Sequence, residues 1–547
     1  MKKTLITVVA LISLIMTVQV NAKSNSKKID NLLNNLFEKN GPGGVALVVK
    51  DGKTIYRKAF GMANLELGVK MQPNHIFRIG SITKQFTASA ILKLVEEGKV
   101  KLDADITEYI KDYPTHGHKI TIEHLLTHTS GIKSYTGMKE WDSEARKRDF
   151  TPAELVDYFK NKPMDFKPGE KFGYNNSGYI LLGHIIELVS GKTYEEYIQE
   201  NIFTPLHMDS SSYGSTSRII KNRAYGYDKS EDNYKNADFL SMTQPYSAGS
   251  LLSTVDDIHT WYKAVMADKV ISQENRKKAH KRSVLNNGDE TGYGYGWSIG
   301  NIQGNSMIQH GGGINGFLTA SLILPEKNIF VAIFSNCNCN YPGETANKIA
   351  AIVIDKPFEW KNNSLDDDLL KSYPGVYEKS EDNQRIITYK DGKLYSLRTG
   401  GTKNELFPFA KDKFYFEDGL VTLEFNRNSN GTIESVTRHS TDMDQTWLIT
   451  DKVIPSYTAI EVDAAVLEKY VGKYELAPEF HINIFSEGDS LFTQVTGQDK
   501  LQMIAIEQNK FVLKDTDIKI SINLDESGEP TSLTLHQNGD HEAKKVE

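Results

Sequence analysis

Ser81-Ile82-Thr83-Lys84 opens a stretch that reads as a buried helix running to about Glu97 and stopping at Gly98. Positions i and i+3 of a helix share a face, so the serine hydroxyl and the lysine amine can touch. A lysine in apolar surroundings holds its proton less tightly, because burial disfavours the charged form. It can then help deprotonate the serine, which makes the pair a candidate activated nucleophile. The spacing alone is cheap, since Ser24 and Lys27 repeat it in a polar stretch. The pair draws its weight from the helix around it and from motifs further along the chain. Thr87, Ala88, Ser89 and Ala90 are small enough to let other elements pack close.

A hairpin precedes the helix: Val45 to Lys50, the turn Asp51-Gly52, then Thr54 to Phe60. Ile29, Leu32, Leu33, Leu36 and Phe37 recur at helical spacing, so an amphipathic helix is expected over about 26–39. From Gly98 to about residue 290 the chain reads as mostly helical with many loops. A second hairpin pairs Phe317–Leu324 with Ile329–Ser335, and a helix closes this part over about 344–354. Strands at both ends with helices between predict one antiparallel sheet assembled from the two chain ends, carrying an inserted helical lobe. A cleft between lobe and sheet is the natural position for a site.

Two further motifs come after the serine helix in order. Tyr174-Asn175-Asn176 comes after Lys167-Pro168-Gly169-Glu170, and His310-Gly311-Gly312-Gly313 comes just before the second hairpin. Each is weak alone; S-x-x-K, Y-x-N and H-G-G in this order are a strong combination. No G-x-S-x-G elbow is present, which removes the main support for an α/β-hydrolase.

This trio resembles the serine β-lactamase and penicillin-binding protein superfamily, in its class C-like branch of D-aminopeptidases, D,D-carboxypeptidases and esterases. Phe77-Arg78-Ile79-Gly80, the run Ile122 to Ile132, Ser247-Ala248-Gly249-Ser250-Leu251 and Tyr293-Gly294-Tyr295-Gly296-Trp297 also fit, so the resemblance covers roughly 30–356. It implies a β-lactamase-like α+β (α/β) fold and a covalent acyl-enzyme on Ser81. Lys84 lowers the cost of deprotonating the serine. Tyr174 acts as general base, with cationic neighbours expected to favour its phenolate. Asn176 binds the substrate amide and Lys84. His310, Gly312 and Gly313 belong to the substrate-binding strand, and the backbone N–H groups of Ser81 and Gly313 form the oxyanion hole. The implied substrate is a small peptide, amide or ester, D-residues included, and no cofactor is needed. The alternatives on the same site are an esterase, a β-lactamase, or a slow-turnover penicillin-binding or sensing protein. The chain departs from the superfamily at His310, where K-T-G is common. A histidine is only partly cationic at neutral pH, which shifts weight from β-lactams and D-Ala-D-Ala ends toward other amides and esters.

His124 and His128 are four residues apart but lack the H-E-x-x-H order of a metal pair, and they read as structural. Ser130 and Ser177 have no lysine partner. Two cysteines, Cys337 and Cys339, are too few for a disulfide framework; they either bridge each other in a tight ring or stay free.

Past residue 366 the chain repeats itself. Leu370 to Glu378 matches Leu467 to Glu475, and Lys413-Phe414 matches Lys510-Phe511 at the same offset. Short alternating strands with Asp391-Gly392 and Ser527-Gly528 turns suggest a small antiparallel barrel per copy, or two halves of one larger barrel. The copies resemble the lipocalin-like appendages of some relatives. They are expected to cap the cleft or to promote a homo-oligomer.

The domain plan is therefore a signal peptide over 1–22, a hydrolase domain over 23–360, and repeats over 366–452 and 463–547. Lys2 and Lys3, the apolar run from Leu5 to Val20 and the small-residue site Val20-Asn21-Ala22 predict cleavage after Ala22. The alternative is a membrane anchor. A secreted or periplasmic protein without stable membrane insertion is expected. The 547 residues are 39% hydrophobic and 25% charged, in the range of soluble globular protein. A net charge of −7 without a basic, aromatic-interleaved patch argues against a nucleic-acid partner.

Overall fold

The computed structural model describes residues 25–546 apart from residues 231–232, 418, 478–479, 489, 497 and 538. The segment read as a signal peptide lies outside the described residues. The chain divides into two compact units between Phe358 and Glu359.

The first unit begins with helix α1 (25–36) and the hairpin β1 (Gly44–Lys50) and β2 (Lys53–Phe60). Three helices matter for the site: α2 (Thr83–Glu96), α3 (Asn176–Ser190) and α4 (Val255–Met266). Strands β3 (Ser298–Ile302), β4 (Asn305–Ile314), β5 (Phe317–Leu324) and β6 (Ile329–Ser335) come next, and α5 (Pro342–Val353) ends the unit. One six-stranded sheet runs β3-β4-β5-β6-β1-β2. Its antiparallel seam joins Gly44 to Ser335 and Lys50 to Ile329, so the two chain ends build it together, as the hairpins predict.

Successive strand side chains point to opposite faces, and both faces of this sheet are covered. Val45, Leu47 and Val49 enter the core shared with α2, α3 and α4. Ala46 and Val48 enter a second core with Ile29 and Leu33 of α1 and Ile349 and Ala350 of α5. This is why β1 reads as an unbroken apolar run rather than an alternation. α2 lies in the middle of the first core, buried from Thr83 through Leu92. A helix buried all round needs apolar or small residues on every face. Phe86 stacks on Trp261 of α4 with ring centroids 4.1 Å apart. The helix starts two residues later than the sequence suggests. Gly80–Ile82 form a 3₁₀ turn, and α2 itself begins at Thr83.

The second unit consists of two closed, eight-stranded antiparallel barrels, spanning Gly375–Ile449 and Gly472–Lys545. One barrel per repeat copy is thus the outcome. The copies share a local lock: Tyr377 Oη donates to the carbonyl of Tyr373 at 2.8 Å, and Tyr474 Oη to that of Tyr470 at 2.8 Å.

Candidate active site

Ser81 sits in the 3₁₀ turn ahead of α2, and that turn depends on glycine. Gly80 has φ +51°, a left-handed conformation that side chains resist. A Cβ on Gly80 would meet the Gly313 amide nitrogen at 2.9 Å, and a Cβ on Gly312 would meet the Ile79 carbonyl oxygen at 2.0 Å. Bare backbone on both sides lets β4 press directly against the serine turn. Thr319 Oγ1 of the neighbouring β5 donates to the Ile79 carbonyl at 3.0 Å. The Ile79 N–H donates to Leu251 O, and the Leu251 N–H donates to Thr83 Oγ1 at 3.1 Å.

One turn along α2, Lys84 is fully buried. Its Nζ lies 3.2 Å from Ser81 Oγ, 2.8 Å from Asn176 Oδ1 and 2.9 Å from the carbonyl oxygen of Ala248. Burial pushes its pKa well below that of an ordinary lysine. Asn176 is the first residue of α3, whose start is fixed by the Asn175 side chain accepting from the Gly178 N–H at 2.9 Å. Its amide bridges two groups, since Nδ2 donates to Thr136 Oγ1 at 3.2 Å.

The Tyr174 ring lies 4.8 Å from Lys84 Nζ. The residue is 43% exposed, yet its phenolic end is crowded by protein. Burial raises the Tyr174 pKa, and a hydrogen bond with Ser81 offsets that only in part. The expectation that cationic neighbours would favour a phenolate is therefore reversed. Burial that drives Lys84 toward neutrality also holds Tyr174 as a phenol.

Behind Tyr174 lies His128, 1% exposed, with its ring 4.3 Å from that of Tyr174 and 4.7 Å from that of Tyr293. Its Nδ1 accepts from the Asn175 N–H at 3.1 Å, and burial lowers its pKa well below the usual value. His124 caps its own helix turn, with Nδ1 accepting from the Thr121 N–H. Both rings serve the backbone, and among the described residues no group of three or more His, Cys, Asp or Glu could hold a metal. Cys337 and Cys339 are joined by a disulfide.

His310 is 5% exposed and spends both ring nitrogens internally. Nδ1 faces the Gly311 carbonyl at 2.5 Å, and Nε2 faces Tyr293 Oη at 2.8 Å. Burial brings its pKa down to about 3, and the Lys84 charge acts in the same direction. A carbonyl only accepts, so Nδ1 carries the proton and Nε2 accepts from the tyrosine. The third motif thus carries a neutral, internally bonded imidazole, not a cation.

The cleft is a cavity of about 210 Å³ lined by Ser81, Asn176 and Gly313 together with residues of the helical lobe. His310 and Gly312 are not in its wall. Gly312 serves the close approach of β4 to Ile79. The lobe contributes Thr136, Trp141, Arg146 and Gln244, none of which the sequence singles out. They come from an aperiodic stretch and a turn, where no motif marks them. Arg146 is the cationic side chain of this wall, with Nε donating to the Trp141 carbonyl at 3.3 Å. Tyr293, Ala248 and His128 fall in segments that fit the superfamily, but only packing reveals what they touch.

Comparison with known proteins identifies the family and the fold. The profile of the family described as Beta-lactamase matches residues 27–355. A second profile, described as a domain of unknown function (DUF3471), matches residues 457–546. Penicillin-binding protein 4* of Bacillus subtilis (strain 168) is 28% identical over 430 residues, covering 74% of this chain and 94% of that protein. The octameric penicillin-binding protein homologue from Pyrococcus abyssi is 29% identical with a TM-score of 0.56, covering 78% of this chain and 99% of the other. The D-amino acid amidase from Ochrobactrum anthropi SV3, at 22% identity and a TM-score of 0.54, shares the fold over 61% of this chain and 99% of its own. The chain belongs to the Beta-lactamase family, and it is a serine hydrolase of the β-lactamase and penicillin-binding protein superfamily.

Proposed function

We propose that the protein is an exported hydrolase that cleaves small peptides or amides, D-residues included, through an acyl-enzyme on Ser81. The observation that carries the reading is the buried Lys84 amine 3.2 Å from Ser81 Oγ. In its neutral form Lys84 takes the serine proton as the Oγ–carbonyl bond forms. Backbone N–H groups of Ser81 and Gly313 receive the oxyanion. Tyr174, a phenol at rest, gives its proton to the departing amine as the C–N bond breaks, and regains one from the Lys84 ammonium. Water then attacks the ester by the same steps in reverse. Asn176 holds Lys84 in place and presents its amide to the substrate. A neutral His310 weighs against a carboxylate anchored on the third motif, and Arg146 is the cation available to an acidic substrate group.

The relatives support this reading, since they include a penicillin-binding protein and a D-amino acid amidase. The octameric homologue supports self-association, which light scattering of the purified protein would test. The N-terminal pattern supports export, and N-terminal sequencing of the mature protein should begin at Lys23. The central test is Ser81→Ala assayed on D-amino-acid amides, p-nitrophenyl esters and nitrocefin, with intact-mass detection of a fluorophosphonate adduct. Turnover should fall by about a thousandfold or more, the scale of nucleophile losses. Retained turnover or an undiminished adduct sinks the assignment.

A further inference from the structure

The two barrels follow one plan, and the second shows how the first would be finished without cations. Arg385 pairs with Arg398 across the ladder of the first barrel, where Ile482 pairs with Val495 in the second. Arg438 pairs with Leu423, where Leu535 pairs with Ile520. Three arginines of one copy thus stand where the other has isoleucine, valine and leucine. Residues two apart on a strand share a face. Arg385 continues the inward row of Ile387, Arg398 that of Leu394 and Ser396, and Arg438 that of Val436, and those four are buried. In the second barrel the same end is closed by buried Ile482 and Leu535. The barrel frame itself therefore does not call for arginine there.

Arg385 is only 5% exposed. It donates to Ser396 Oγ at 2.6 Å, and its guanidinium lies 4.7 Å over the Trp447 ring. Its Nε has no partner among the described residues. Burial brings its pKa down to about 10, and the charges of Arg438 and Arg398 act in the same direction. A buried cation with an unused donor is costly unless something negative completes it. A guanidinium presents its N–H groups as a planar fork that matches carboxylate and phosphate oxygens.

We infer that the first barrel binds an oxyanion group, carboxylate or phosphate, at this end, with Arg385 as its buried anchor and Arg398 and Arg438 beside it. This site lies outside the hydrolase unit and stands or falls apart from the chemistry at Ser81. The test is isothermal titration of the full-length protein with inorganic phosphate and, separately, with octanoate, at fixed ionic strength in chloride. One or both should bind: phosphate alone marks a phosphorylated ligand, octanoate alone a carboxylate with an apolar tail. Arg385→Ile, which installs the residue of the second barrel, should weaken binding by about 10–100-fold, the scale of one charge-assisted hydrogen bond. Arg398→Val, at an exposed position, should weaken it about tenfold and carries the test if Arg385→Ile does not fold. Acylation of Ser81 should be unchanged in both. Binding of neither probe by the wild type, or wild-type binding by the folded variants, overturns the inference and leaves Arg385 as a packing partner of Trp447.

Discussion

Lys84 has lost its water and kept three polar partners, so its protonation state is decided by the fold. Because its pKa is lowered, the neutral amine appears at a lower pH than for an ordinary lysine. The acylation rate should rise with pH as that proton leaves, with an apparent pKa below 10.5. Lys84→Ala should lose that limb and about 10²–10⁴-fold in rate, the range of a positioned general base. Stopped-flow acylation across pH checks both, and an unchanged profile rejects the role. His310 makes a separate prediction about stability. Its folded pKa of about 3 lies below the ordinary 6.5, so the unfolded chain binds a proton that the native state refuses. Stability should therefore fall as the pH drops from 6.5 toward about 3. Urea unfolding of His310→Gln should show a shallower loss over that window, and an identical slope would contradict it. The sequence identifies Ser81, Lys84, Tyr174 and Asn176, and folding brings them together. It does not reveal their charge states, because those depend on how deeply the Tyr174 phenol is packed and on Tyr293 Oη reaching His310.

Among the secondary-structure elements, the site is a strand pressed on a turn. Gly312→Ala would push a methyl group into the Ile79 carbonyl, and backbone cannot swing aside as a flexible side chain can. The expected cost is about 1–3 kcal/mol of stability, as for overpacking elsewhere, together with a loss of kcat as the serine turn shifts. Gly343→Ala in α5, where an added Cβ meets nothing within 4 Å, is the matched control. Melting curves and steady-state rates of the two variants distinguish this from a general intolerance of alanine. The hairpins and α5 are legible because alternation, turns and helical period are local signals. The 3₁₀ turn at Gly80–Ile82 is hidden in an apparently continuous helix, since its cause is a strand more than 200 residues away. Thr136, Trp141 and Arg146 are equally hidden, because an aperiodic loop carries no pattern to read.

Across the full chain, two units with separate cores should unfold in separable steps. Phe414 is fully buried in the first barrel, with its ring 5.1 Å from Tyr373 and 5.6 Å from Phe425. Phe414→Ala should cost about 3–5 kcal/mol. Calorimetry should show one transition lowered and the hydrolase transition in place. A shift of both would mean that the units melt together. The repeat is plain in the sequence through its fixed offset. Whether it makes one barrel or two is not, because closure is decided by which strands meet, as Tyr377 meets Ile449 and Tyr474 meets Lys545.

The seam between Gly44 and Ser335 also governs the order of folding. As the chain is made, β1 and β2 emerge early, but the partner that covers β1 emerges only after the entire helical lobe. Closing so long a loop costs entropy before any contact repays it, so the central sheet should be the late and slow event. Each barrel pairs its strands mostly with sequence neighbours and can form without waiting. Until β6 arrives, β1 is an apolar strand with an open edge, the kind of surface that aggregates. Residues 44–50 are thus a segment through which this protein is open to misassembly before it has become an enzyme.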